Sequence, residues 1–142
     1  MIHTIIQGKT PETDLHLYYI LGPLLIDADI HAQLGMPITS KPGDTWYIET
    51  DKNITYRAFA LLRHLKNGKT AHIRYLHGHT TPPQKKLIER IIRDAQEHGL
   101  TALHTNDKTT HPLWARYGFI PQPTKRRGHY VRWLKTLEAP KP

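Results

Sequence analysis

The chain has 142 residues, no cysteine, and a formal net charge of +8 with a pI near 9.8. That length supports one core rather than two, and the lack of cysteine excludes disulfides, thiolate catalysis and thiolate metal sites together. No run of about 18 apolar residues is present, and the apolar part of MIHTIIQGKT is too short for a signal peptide, so the expectation is a soluble, cytoplasmic protein.

Taken in chain order, residues 1–7 alternate weakly and read as a first strand closed by Gly8. Residues 10–35 read as two helical pieces. Leu15, Tyr18, Tyr19 and Leu21 mark the first, and Pro23 opens a second that carries Leu24, Leu25, Ile26, Ile30 and Leu34. Gly35 and Pro37 end it. Residues 45–50 and 54–65 form a hairpin about the Asp51-Lys52-Asn53 turn, and after the Asn67-Gly68 turn residues 70–77 read as another strand.

Residues 81–98 give the clearest helix. Leu87, Ile88, Ile91, Ile92 and Ala95 recur at helical spacing, while Lys85, Lys86, Glu89, Arg90, Arg93 and Glu97 take the other side. Thr81 and Gln84 fit a capping box, and Gly99 fits the stop. Residues 100–104 read as a strand, Asn106-Asp107 as a turn, residues 111–117 as a short helix and residues 129–137 as a last strand. The expectation is one domain over residues 1–137, with a tail at residues 138–142.

The segment TALHTNDKTTHPLWARYGF, from Thr101 to Phe119, resembles the end of the acyl-CoA-dependent N-acetyltransferases of the GNAT superfamily. There an Asn after the fifth strand helps hold the cofactor arm, and the helix beside it reads roughly N-x-x-A-x-x-x-Y-x-x-x-G-F. Asn106, Trp114, Gly118 and Phe119 fall in those places, with Trp114 where the family has Tyr. The order of elements follows the same topology over nearly the whole chain. The resemblance implies an α/β fold, a mixed central sheet of about six to seven strands flanked by helices. It implies acetyl-CoA or another acyl-CoA as cosubstrate and a primary amine as acceptor, with a homodimer as a further expectation.

In that family a glycine-bearing loop after the fourth strand offers backbone amides to the pyrophosphate, and the helix dipole adds to the attraction. The corresponding residues here run from Leu76 through His77, Gly78, His79, Thr80, Thr81, Pro82, Pro83 and Gln84 to Lys85 and Lys86. Pro82 and Gln84 stand where glycines belong, and the two prolines remove two N–H donors. Lys85, Lys86, His79 and the Thr80 and Thr81 hydroxyls are then the compensating contacts. A backbone N–H near residues 76–78 would serve the thioester oxygen.

Acyl transfer to an amine also needs a base and an acid. His72, His104 and Asp107, near the ends of central strands, are the candidate bases, with Glu49 and Asp51 more distant. Indole cannot deliver a proton to sulfur, so Tyr117, three residues beyond Trp114, is the candidate acid alongside His104. Eleven histidines include His77, His79, His104 and His111 at predicted strand ends, yet no spacing matches a metal-ligand motif, and no metal is expected.

Charge divides unevenly. Residues 1–60 sum to −3 and residues 61–142 to +11, so the basic half is the half holding the cofactor unit. Lys125, Arg126 and Arg127, followed by Arg132 and Lys135 with Tyr130 and Trp133 interleaved, would suit a nucleic-acid backbone as well. The alternatives to an acyltransferase are therefore a nucleic-acid modifying or binding protein on the same fold, and a catalytically degenerate member acting through protein contacts.

Overall fold

A computed structural model describes residues 1–34, 38–108, 111–122 and 130–138. The strands are β1 (Ile2–Ile6), β2 (Thr45–Thr50), β3 (Tyr56–His64), β4 (Thr70–Gly78), β5 (Ala102–Lys108), β6 (Ile120–Gln122) and β7 (Tyr130–Thr136). Three helices, α1 (Pro11–Leu25), α2 (Ala28–Leu34) and α3 (Thr81–Glu97), and a 3₁₀ turn at Ala115–Tyr117 complete the elements among the described residues. The strands form one mixed sheet in the order β1-β2-β3-β4-β5-β7-β6, in which β4 and β5 alone run parallel. Gly35 and Pro37, read as the end of the second helix, lie outside the described residues, as do residues 139–142 of the tail.

Each face of the sheet carries its own core. Leu87, Ile88, Ile91 and Ala95 of α3 pack on Ala58, Ala60, Ala71, Ile73 and Leu103, together with Leu113, Trp114 and Phe119. On the other face Leu17, Ile20 and Leu21 of α1 and Ile30 of α2 meet Trp46, Ile48, Phe59, Leu61 and Tyr75. The amphipathic spacing of α3 is what lets a helix with so many charges bury one full side.

Four local readings change. Pro23 lies inside α1 rather than at a helix start, and the break falls after Leu25. There Asp27 caps α2, its Oδ1 accepting the Asp29 and Ile30 amides at 2.8 and 3.1 Å. The cap of α3 is Thr80 rather than Thr81, and it lacks a side-chain bond. Gln84 instead folds back, its Nε2 donating to the Gly78 and Thr80 carbonyls at 3.2 and 3.1 Å. Asn106-Asp107 is strand, not turn, because β7 pairs with it. A short strand, β6, stands at Ile120–Gln122 beside β7.

One polar chain fixes α2 against the end of β4. The Tyr56 hydroxyl donates to His77 Nδ1, and His77 Nε2–H donates to Gln33 Oε1 at 2.6 Å. The ring is buried and stacks on Phe59. His77→Ala orphans both partners at once, so unfolding free energy should fall by about 1–3 kcal/mol in urea titrations.

Candidate active site

The site begins where the sheet divides. β4 and β5 pair from Thr70↔Ala102 to Ile73↔Thr105 and no further, although both strands continue. Thr105 Oγ1 closes the fork by donating to the Ile73 carbonyl at 2.8 Å. Immediately beyond, β4 bulges: Leu62 pairs with Ile73 but Leu61 pairs with Tyr75, leaving Arg74 as the extra residue. The bulge moves the alternation by one, so Ala71 and Ile73 face the α3 core while Tyr75 faces the α1/α2 core. β4 then stays with β3, β5 stays with β7, and the edges between them are free of each other.

The gap is a cleft of about 140 Å³. Residues 74–76 of β4 and residues 105–108 of β5 form its walls, with Gln33 and Leu34 of α2 and His111 around it. Two polar atoms lining it, Arg74 Nε and Asn106 Oδ1, are buried without a hydrogen-bond partner among the described residues, and so is His104 Nδ1 nearby. Such groups are costly unless something from outside completes them.

No protein-family model matches the sequence, and no curated protein matches it. Solved structures do match over the whole fold. An acetyltransferase of the GNAT family from Staphylococcus aureus superposes with a TM-score of 0.63 at 10% identity, covering 97% of this chain and 100% of that one. The aminoglycoside 6′-N-acetyltransferase of Enterococcus faecium gives 0.63 at 11% identity, covering 100% and 99%. N-acetylglutamate synthase from Neisseria gonorrhoeae, solved with coenzyme A and N-acetyl-glutamate, gives 0.57 at 13% identity over 97% of this chain and 35% of that one. The chain has the GNAT fold.

In GNAT terms the loop between β4 and α3 departs from a glycine-rich anion cradle. A helix leaves its first four amides without intrahelical acceptors. Here Pro82 and Pro83 have none to give, so Thr80 and Thr81 supply the remaining pair. The His79 amide is committed to the Arg57 carbonyl at 3.2 Å, and its exposed ring stands edge-on to Tyr56. Gly78 is required by space, because a Cβ would meet Gln84 Cγ at 2.8 Å and Ala58 Cβ at 3.0 Å. No acidic residue occupies the first turn of α3, which keeps the dipole available to an anion. Lys86 reaches the buried Glu49 at 3.8 Å, whereas half-buried Lys85 has no carboxylate partner among the described residues. Leu76 lines the cleft, and the His77 side chain is occupied in the Tyr56–Gln33 chain.

Trp114, at the family's tyrosine position, is fully buried and donates its Nε1–H to Asp107 Oδ2 at 3.0 Å. Asp107 thus holds an indole and also stands 3.7 Å from His111 Nε2. The Leu113 amide donates to His111 Nδ1 at 3.3 Å, so neutral His111 keeps its proton on Nε2, toward Asp107. Trp114, Asp107 and His111 form one group at the cleft. Tyr117 does not join it: its hydroxyl donates to Glu89 Oε1 at 3.1 Å, beside α3. Reading the sequence for chemistry passes over His111 as a donor. Its one local signal is the i, i+4 spacing from Asp107.

His72 and His104 lie side by side across β4 and β5, ring centroids 4.6 Å apart. Burial and the neighbouring His104, Arg74 and Arg132 push His72 down to about 4, and burial with Arg132 lowers His104. Burial also lowers His77 and His111, although Asp107 works against this in His111. Among the described residues no three His, Cys, Asp or Glu side chains gather to hold a metal ion. Of the basic segment, Lys125, Arg126 and Arg127 lie outside the described residues, and Arg132 is exposed on β7 opposite Asn106.

These four histidines, together with His3 and His64, which burial also lowers, bind protons more readily unfolded than folded. Their contribution is complete above the ordinary imidazole pKa of about 6.5 and is lost as the pH falls through the folded-state values. Urea midpoints should therefore drop between about pH 7 and about pH 5, and His72→Gln should flatten that dependence.

Proposed function

We propose that this protein transfers an acyl group, most simply acetyl, from acyl-CoA to the nitrogen of a primary amine. The observation that carries the reading is the division of the sheet after Ile73 and Thr105, with buried and unpartnered Asn106 Oδ1 in its wall. The cleft's free strand edges suit an extended amide-bearing chain, and Thr80, Thr81 and Lys85 would receive its phosphates. The fold shared with acyltransferases supports the same reading.

Acyl-CoA as substrate supplies an activated carbonyl: a C–N bond forms to the amine, the C–S bond breaks, and the thiol and one proton are released. The residues have separable tasks. His104, neutral and with Nδ1 unpartnered, accepts the first proton from the acceptor ammonium and passes it to solvent. His72, with a pKa of about 4, is too weakly basic for that role and packs against His104. The second nitrogen-bound proton ends on the departing sulfur through solvent, while the neutral His111, beside Asp107, offers its Nε2–H as a hydrogen bond to the developing thiolate in place of the tyrosine. Backbone amides of β4 beyond Ile73, on the edge β5 has left, polarise the carbonyl.

CoA at about 100 times its Kd should stabilise the folded protein by about 2.7 kcal/mol, read as a higher melting temperature. Lys85→Glu should remove most of that shift and Lys86→Glu little of it, because Lys86 is already engaged by Glu49. No shift with CoA or acetyl-CoA at millimolar concentration would overturn the reading.

Turnover is tested by thiol release. His104→Gln should slow it by about 10²–10⁴, the usual cost of a lost base, and His111→Gln by about 10²–10³, the usual cost of a lost donor to a developing anion. With His104 as base, kcat/KM should fall on the acid side below the ordinary imidazole range, and His104→Gln should abolish that limb. Tyr117→Phe should leave turnover within about twofold, since its hydroxyl serves Glu89.

A further inference from the structure

The α1/α2 face of the sheet carries cationic groups beside the cleft that an uncharged amine would not require. Strand register sets Arg63, His72 and His104 in one row across β3, β4 and β5, and Asn106, Arg132 and Gln122 in the next across β5, β7 and β6. Arg63 is neutralised, because Asp44 accepts its Nε and Nη2 donors at 2.9 and 2.7 Å. That carboxylate also draws on Arg74 through space, but both of its oxygens are taken. Arg74 and Arg132 form no ion pair among the described residues.

Arg74 is the bulge residue. Among the described residues its Nη2 donates only to neutral oxygens, Thr39 Oγ1 and the Tyr75 hydroxyl, both at 3.2 Å, and its Nε is buried with no acceptor. A guanidinium edge closed off from water without an anion is poorly satisfied, and the ligand that repairs it best is an oxyanion. The two neighbouring imidazoles stay uncharged, helped by the fields of these arginines, so they add no competing salt bridge and leave the positive charge for a ligand.

Resting on the acyl-transfer reading above, we propose that the acceptor is a primary amine that also bears an oxyanion, carboxylate or phosphate, bound by Arg74 and Arg132 with its nitrogen beside His104. The two arginines share this face, one on each half of the divided sheet, Arg74 on β4 and Arg132 on β7. An anionic group held between them would set the amine at the fork, where the strands begin to part.

The test compares β-alanine, O-phosphoethanolamine, ethanolamine and 1,3-diaminopropane as acceptors with acetyl-CoA. The expected result is a kcat/KM for β-alanine or O-phosphoethanolamine above that for ethanolamine by about tenfold or more, seen mainly in KM. Whichever of the two leads identifies the anion. Arg132→Gln and Arg74→Gln should bring the preference to within about threefold, and Arg74→Lys, which keeps the charge without the fork, should restore part of it. Equal or faster turnover of ethanolamine or the diamine would overturn the proposal while leaving acyl transfer intact.

Binding without turnover separates the two failures. β-alanine or O-phosphoethanolamine alone should raise the melting temperature in wild type and not in Arg132→Glu, an exposed position where the variant folds. If CoA gives no shift and no amine is acylated, but an anionic amine still binds through Arg132, the anion site stands and the acyl-transfer reading falls. If neither anionic amine shifts the wild-type protein, the anion site falls.

Discussion

β4 and β5 can part because each keeps a full partner on its far edge. A strand that loses its neighbour in the middle of a sheet exposes a row of amides and carbonyls, which is costly unless those groups are satisfied elsewhere. Here β3 follows β4 to Gly78 and β7 follows β5 to Lys108, so the unpaired edges belong to the cleft alone. Thr105 spends its hydroxyl on the Ile73 carbonyl at the point of separation, and the Arg74 bulge turns the β4 side chains over. Everything assigned to the site, from the unpartnered Asn106 to the placement of Arg74, depends on this fork.

The chemistry around the fork replaces missing parts with different ones. Where the sequence resemblance calls for a tyrosine, Trp114 fills the volume and donates its Nε1–H to Asp107. Asp107 is then a shared acceptor, and His111 stands beside it in the lining of the cleft. Pro82 and Pro83 likewise take two amides from the start of α3, but proline is well suited to the first helical turn and leaves the dipole intact. On the acyl-transfer reading, anion binding would rest on the two remaining amides of Thr80 and Thr81 and on the Lys85 side chain. A charge on a flexible stem holds a phosphate less rigidly than a ring of amides does, so this substitution trades geometric definition for electrostatic strength.

The architecture was legible in the sequence because its signals were strong and local. The helical spacing of Leu87, Ile88, Ile91 and Ala95, the Asn67-Gly68 turn and the resemblance around Asn106 were enough to place α3, β4 and β5 in a GNAT-like order. What escaped was decided by tertiary pairing. Asn106-Asp107 has turn composition, yet β7 holds it extended; Ile120–Gln122, three residues with a proline, is a strand only because β7 is beside it. No residue near Arg74 announces a bulge. The Asp107–His111 pair was present as a spacing, but its meaning appears only when Trp114 is found bonded to the same carboxylate.

The uneven charge of the two halves gains a structural sense from these positions. Lys85 stands at the start of α3, whereas Arg74 and Arg132 stand on the other face of the sheet, beyond the fork. One basic site would serve a phosphate-bearing donor and the other an anionic acceptor, with the uncharged His72–His104 pair beside the acceptor. Keeping those rings neutral has a cost in acid, where the unfolded chain takes up protons that the folded one refuses. On the acyl-transfer reading, the benefit would be a base that is ready at neutral pH in a field that would otherwise repel an ammonium group. An acceptor bringing its own negative charge would offset that repulsion, which would tie the proton chemistry at His104 to the charge of the acceptor.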